Sequence, residues 1–152
     1  MSTPIEMLRS NTYGSAKLRF ALFDGTFASV QSIEQATQAA TGIANSFDLK
    51  KFGRALDFGL SLAGYLKVEA DGYYQFAVES DDGSLLQIDD EVVVDNDGNH
   101  ASRRLTGHIP LRQGFHKIKL LYFQSEGNAG LGVSWGASGA ELQPLPEAAL
   151  YH

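Results

Sequence analysis

From Ala55 nearly to its end the chain repeats one pattern, with apolar residues at every second position in short runs broken by Gly and Asp. Leu56, Phe58, Leu60 and Leu62 alternate with Asp57, Gly59, Ser61 and Ala63. A period of two gathers apolar groups on one face of an extended strand, whereas a helix would scatter them. The pattern returns in Tyr74, Phe76 and Val78, in Ile118, Leu120 and Tyr122, and in Leu131, Val133 and Trp135. Between these runs stand turn signals: Ala70-Asp71-Gly72, Asp81-Asp82-Gly83, Asp89-Asp90-Glu91 and Arg112-Gln113-Gly114. Short strands with Gly/Asp turns between them predict an all-β chain, an antiparallel sandwich or barrel.

The N-terminal third fits the same class. Within Ala16–Asp24, Leu18, Phe20 and Leu22 alternate with Lys17, Arg19 and Ala21. One short helix is expected over Ser32–Ala40, with Ser32 as N-cap, Glu34 and Gln35 in the first turn, and Thr41-Gly42 closing it. Gly64, inside a strand, signals a bulge or a close approach of another backbone. Residues 1–14 are polar and read as a flexible N-terminal arm, leaving 15–152 as one domain.

A formal net charge of −6 argues against nucleic acid and anionic membranes as partners, because both require basic patches. No apolar run approaches membrane-spanning length, and Met1–Ser10 lacks the basic and apolar regions of a secretory signal. The absence of cysteine excludes a disulfide scaffold, a thiolate metal site and a cysteine nucleophile.

Asp81-Asp82-Gly83 is the feature that alternation alone does not explain. Asp and Gly are poor strand residues and adjacent carboxylates repel each other. Such a pair is tolerated where it turns the chain, where it binds a cation, or both; hard carboxylate oxygens on a loop suit Ca2+. Two side chains supply too few ligands, so a second loop would have to contribute. Other motif matches fail on context. Asp95-Asn96-Asp97-Gly98-Asn99-His100 has acidic or amide residues in a calcium-loop order, but His100 stands where the loop needs Gly and Thr106 where it needs Glu. Gly132-Val133-Ser134-Trp135-Gly136 matches the nucleophile elbow in letters, yet Ser134 lies within an alternating strand and the only later His is His152. His100, His108 and His116 fall on separate turns or strands without a close pair to anchor zinc. No acid pair arranged for glycoside hydrolysis is identifiable, and no enzymatic activity is expected.

Taken in order, several segments together resemble the PA14 domain family. They are Gly64-Tyr65-Leu66-Lys67-Val68, Asp71-Gly72-Tyr73-Tyr74-Gln75-Phe76, Ser80-Asp81-Asp82-Gly83-Ser84 running on to Asp89, and Val94–His100. The likeness continues through Gly107, Leu111, Gly114–Ile118, Tyr122-Phe123, Gly127, Ala129-Gly130-Leu131 and Trp135, spanning about residues 15–151. The resemblance implies an antiparallel β-sandwich. It also implies, as in lectin-type members of bacterial and fungal adhesins, two consecutive aspartates joined by a cis peptide that hold Ca2+, which in turn coordinates sugar hydroxyls. Asp81 and Asp82 match that pair. The family's second loop corresponds to 126–129, which implies Glu126 by side chain and Gly127 and Ala129 by carbonyl as further ligands. Asn128 is the substitute if Glu126 points away, and Asn128 and His100 are candidate sugar contacts beside Asp81 and Asp82.

The implied function is a Ca2+-dependent carbohydrate-binding module at a bacterial cell surface, part of a larger multidomain adhesin with extracellular glycans as partners. A structural or accessory module of a toxin or carbohydrate-active enzyme, with the Asp pair serving only as a turn, is the alternative. One departure from the family is Asp89-Asp90-Glu91, where Asp-Gly is usual, so Asp90 is expected to need a positive φ.

Overall fold

A computed structural model describes residues 17–47, 57–125 and 130–152; the expected arm over 1–14 lies outside them. Among these residues, eleven strands form two antiparallel sheets. The first sheet contains β1 (Leu18–Asp24), β2 (Gln38–Ala44), β3 (Phe58–Val68), β5 (Ser84–Ile88), β6 (Glu91–Asn96), β8 (Gly114–Gln124) and β11 (Leu150–Tyr151). Its order is β2-β1-β3-β8-β5-β6, with β11 added to β3. The second contains β4 (Gly72–Asp81), β7 (Arg103–Leu111), β9 (Gly130–Ala137) and β10 (Gln143–Pro144), in the order β10-β9-β4-β7.

The alternating residues meet between these sheets. Leu60, Leu62, Leu86, Ile118, Leu120 and Tyr122 from the first pack with Phe76, Val78, Leu111 and Val133 from the second in one buried cluster. Burying each such side chain is worth about 1.5–3 kcal/mol relative to exposure, which makes this cluster the main source of stability. Gly64 is a close approach rather than a bulge. The β3–β8 ladder runs through it without a shift, and a Cβ there would stand 2.3 Å from the Tyr151 carbonyl oxygen.

The helix differs from expectation. It is a 3-10 helix over Val30–Gln35, capped by Ser29, whose hydroxyl accepts from the Gln31 N–H. Gln38–Ala40, read from Gln and Ala as the end of the helix, and the Thr41-Gly42 stop after it belong instead to the edge strand β2, laddered to β1 from Leu18↔Ala44 to Phe23↔Gln38. Pairing with a ready strand edge outweighs the weak helix propensity of a short segment. The 3-10 helix sets Val30 and Ile33 on Leu121 and Phe123, closing a second apolar cluster on the outer side of the first sheet. Strand β8 is therefore buried on both faces over its second half.

Candidate functional site

Strand β4 ends in the second sheet at Asp81 and β5 begins in the first at Ser84, so only Asp82 and Gly83 carry the chain from one sheet to the other. The Asp81–Asp82 peptide bond is cis. The corner is pinned to β8: the Asp82 N–H donates to the Phe123 carbonyl at 3.2 Å and the Phe123 N–H to the Gly83 carbonyl at 3.0 Å. Position 83 must be glycine, because a Cβ would lie 2.5 Å from the Phe123 ring and 2.8 Å from the backbone of Gly98.

Asp82 is 4% exposed, and both carboxylate oxygens are held by backbone. Oδ1 accepts from the His100 N–H at 3.1 Å and Oδ2 from the Ser125 N–H at 2.9 Å. Asp81 is half-buried beside it. Burial, and then the neighbouring Asp82 charge, hold the Asp81 carboxyl above the usual carboxylate range, while His100 and the Ser102 backbone N–H act in the opposite sense. No Lys or Arg among the described residues forms an ion pair with Asp81.

Beneath the corner lies a buried polar network. The Ser80 hydroxyl reaches the Asp82 carbonyl at 2.9 Å and the Ser84 hydroxyl at 2.7 Å. The Asn96 side-chain amide donates to the carbonyls of Val78 and Arg103 and to Ser80 Oγ, and Arg103 Nε donates to Asn96 Oδ1 at 2.8 Å. Tyr122 donates its hydroxyl proton to the Asp81 carbonyl and accepts from the Gly130 N–H at 3.3 Å. Burial pushes the Tyr122 phenol well above its ordinary pKa, so it stays a neutral donor.

The loop after β6 is built around Asp97, which accepts from the Ser29 hydroxyl at 2.8 Å and the Val30 N–H at 2.9 Å. It thus fastens the start of the 3-10 helix to the loop that carries His100. Both ring nitrogens of His100 are taken up by backbone, Nε2 with the Asn96 carbonyl at 2.8 Å and Nδ1 with that of Ala101 at 2.7 Å. What His100 presents to the corner is its backbone N–H.

Of the residues expected from sequence, Asp81, Asp82 and His100 are thus brought together. Glu126, Gly127, Asn128 and Ala129 lie outside the described residues; Ser125 and Gly130, which flank them, both reach the corner. Sequence reasoning missed Ser80, Ser84, Asn96, Tyr122 and Ser125 as supports. For Ser80, Ser84, Asn96 and Tyr122 the signal available was a polar group at an inward strand position, while Ser125, past the end of β8, offered none. The chemistry of this donor set fits a hard cation, for which adjacent carboxylates supply hard oxygen ligands. A concavity of about 460 Å³ lies elsewhere, on the first sheet, lined by Arg19, Tyr65, Lys117, Lys119 and His152 among others.

The fold and corner define a two-sheet β-sandwich module with adjacent carboxylates at the crossing between its sheets. The chain belongs to the PA14 domain family, whose model matches residues 10–147. Among solved structures it is similar to the PA14 domain of the MpAFP antifreeze protein, at 20% identity and a TM-score of 0.78 over 90% of each chain. It is also similar to the PA14 sugar-binding domain of an RTX adhesin, at 20% identity and a TM-score of 0.74 over 90% of this chain and 98% of that one. A third is the epithelial adhesin 9 A domain of Candida glabrata in complex with Galβ1-4GlcNAc, at 15% identity and a TM-score of 0.67 over 93% and 90%. At these identities the likeness shows the fold. No curated protein matches the chain. No helix among the described residues is long and apolar enough to cross a membrane.

Proposed function

We propose that this chain is a non-enzymatic, Ca2+-dependent carbohydrate-binding module, serving a bacterial adhesin at the cell surface as one part of a larger protein. The observation that carries the reading is the clamp on Asp82: a carboxylate that is almost wholly buried, fixed by N–H groups from two separate loops, and placed directly beside a second carboxylate. Backbone N–H groups orient that carboxylate without neutralising either charge, and a divalent cation would do so. Asp81 and Asp82 would hold the ion, with Glu126 or Asn128 and the carbonyls of Gly127 and Ala129 completing the set as the family resemblance implies. Bound Ca2+ supplies open coordination positions at which vicinal sugar hydroxyls replace water. The chain's own part is orientation: His100 and Ser125 aim Asp82, Tyr122 holds the Asp81 carbonyl, and Ser80 and Ser84 hold the turn. The adhesin domains of similar fold favour glycans over a toxin or hydrolase context.

A shallow site of this kind binds weakly alone and gains through repetition in a multidomain parent. A glycan array probed with the domain in millimolar Ca2+ and again in EDTA tests the reading. Sugar binding lost in EDTA and restored by Ca2+ is expected, and so is its loss in Asp82→Ala. Binding that survives both would contradict it and leave the structural-module alternative.

A further inference from the structure

A depression of about 240 Å³ lies against the diaspartate corner on the outer face of the second sheet, lined by Glu79, Ser102, Gly130, Leu131 and Gly132. Ligand pockets for drug-sized molecules span about 300–1,000 Å³, so this one holds a single ring-sized group. Its place relative to Asp81 is fixed by the ladder. Glu79 is two residues before Asp81 on β4, so both side chains leave the same face, about 7 Å apart along the strand. On β9, Gly130 pairs with Asp81 and Gly132 with Glu79. The Ser102 backbone N–H faces the Asp81 carboxylate while its hydroxyl donates to Glu79 Oε2 at 3.1 Å. The depression is therefore continuous with the carboxylate corner through Ser102 and Gly130.

Packing does not require glycine on its floor. A Cβ at Gly130 or at Gly132 would meet nothing within 4 Å, and neither residue has a positive φ. Their effect is to leave the space open. The polar groups over it accept rather than donate. Among the described residues Glu79 Oε1 has no hydrogen-bond partner, and the Ser102 oxygen keeps its lone pairs after giving its proton to Glu79.

We propose that Glu79, Ser102 and Gly132 form a second subsite, which takes the next unit of an oligosaccharide whose first unit is held at Asp81 and Asp82. Resting on the Ca2+-dependent reading above, the inference adds the ligand class: a neutral sugar of at least two units, whose second ring donates hydroxyls to Glu79 and Ser102. A carboxylated or sulfated ring is disfavoured there by the Glu79 charge.

The test is calorimetry in saturating Ca2+ with glucose, galactose, mannose and fucose against lactose, maltose and Galβ1-4GlcNAc, for the wild type, Gly132→Val and Glu79→Gln. The readout is the ratio of the best disaccharide affinity to that of its better component monosaccharide. The wild-type ratio is expected to be about tenfold, the size of one or two hydrogen bonds. It falls to near one in both variants, and each variant's Ca2+-induced rise in melting temperature reports that the fold is intact. A wild-type ratio of one for every disaccharide, or an undiminished ratio in both variants, would overturn the subsite while leaving the Ca2+ site standing. Failure of every sugar to bind with Ca2+ would refute the underlying reading as well, and is recognised by the lost monosaccharide signal.

Discussion

Asp82 holds two backbone N–H donors from loops far apart in sequence, and Tyr122, fully buried, reaches the carbonyl of its neighbour Asp81. These contacts fix where the two carboxylates stand. Tyr122 is the support most open to test, because Phe keeps its shape and removes only the hydroxyl. Tyr122→Phe leaves the Asp81 carbonyl and the Gly130 N–H without this partner, at a cost of about 1–2 kcal/mol. Thermal unfolding should show a fall of roughly 3–6 °C, and Ca2+ titration a weaker ion site. An unchanged melting temperature and ion affinity would mean that the hydroxyl does not support the corner. The pair itself was legible in the sequence, since two acids before a glycine at a strand end conflict with strand formation. Tyr122 was not, because it occupies an inward position of the same alternation as Ile118 and Leu120. Nothing in that pattern says which inward residue carries a hydroxyl to a carbonyl.

The β5–β6 hairpin turns through Asp89 and Asp90, both left-handed at φ 51° and 68°. Two positive φ values in a two-residue loop are the type I′ geometry that favours Gly at the second position. The expectation of a positive φ at Asp90 holds, and Asp89 shares it. Asp89 is anchored there, accepting from the Lys117 N–H at 3.1 Å and meeting His116 Nδ1 at 2.6 Å. Asp90 makes only an exposed contact with Lys117 at 3.3 Å, worth little in water. Asp90→Gly should therefore stabilise the domain by about 0.5 kcal/mol, relief of the left-handed penalty outweighing the added chain entropy. Urea unfolding would show a higher midpoint with an unchanged slope, and a lower midpoint would contradict the turn assignment. At this scale the strands were legible because their alternation is also the condition for burying one face. Gln38–Ala44 was not, because Gln and Ala suit a helix locally and only the free edge of β1, distant in sequence, makes the segment a strand.

The two sheets act as a frame for the point where the chain passes between them. Strand β4 belongs to one sheet, β5 to the other, and β8 and the loop after β6 grip the corner from either side. The core clusters pack on either side of the first sheet. Fold class and the Asp81–Asp82 corner are legible in the sequence, because both follow from patterns local to a few residues. The depression over Glu79 and Gly132 could not, since it depends on β9 lying beside β4, a pairing of segments about fifty residues apart. The central claim is that these two carboxylates hold one Ca2+. Isothermal titration of the metal-free domain with Ca2+, run in parallel on Asp82→Ala, tests it most directly. One saturable site in the wild type, absent from the variant, is the predicted result. No uptake by the wild type, or equal uptake by both proteins, would contradict it.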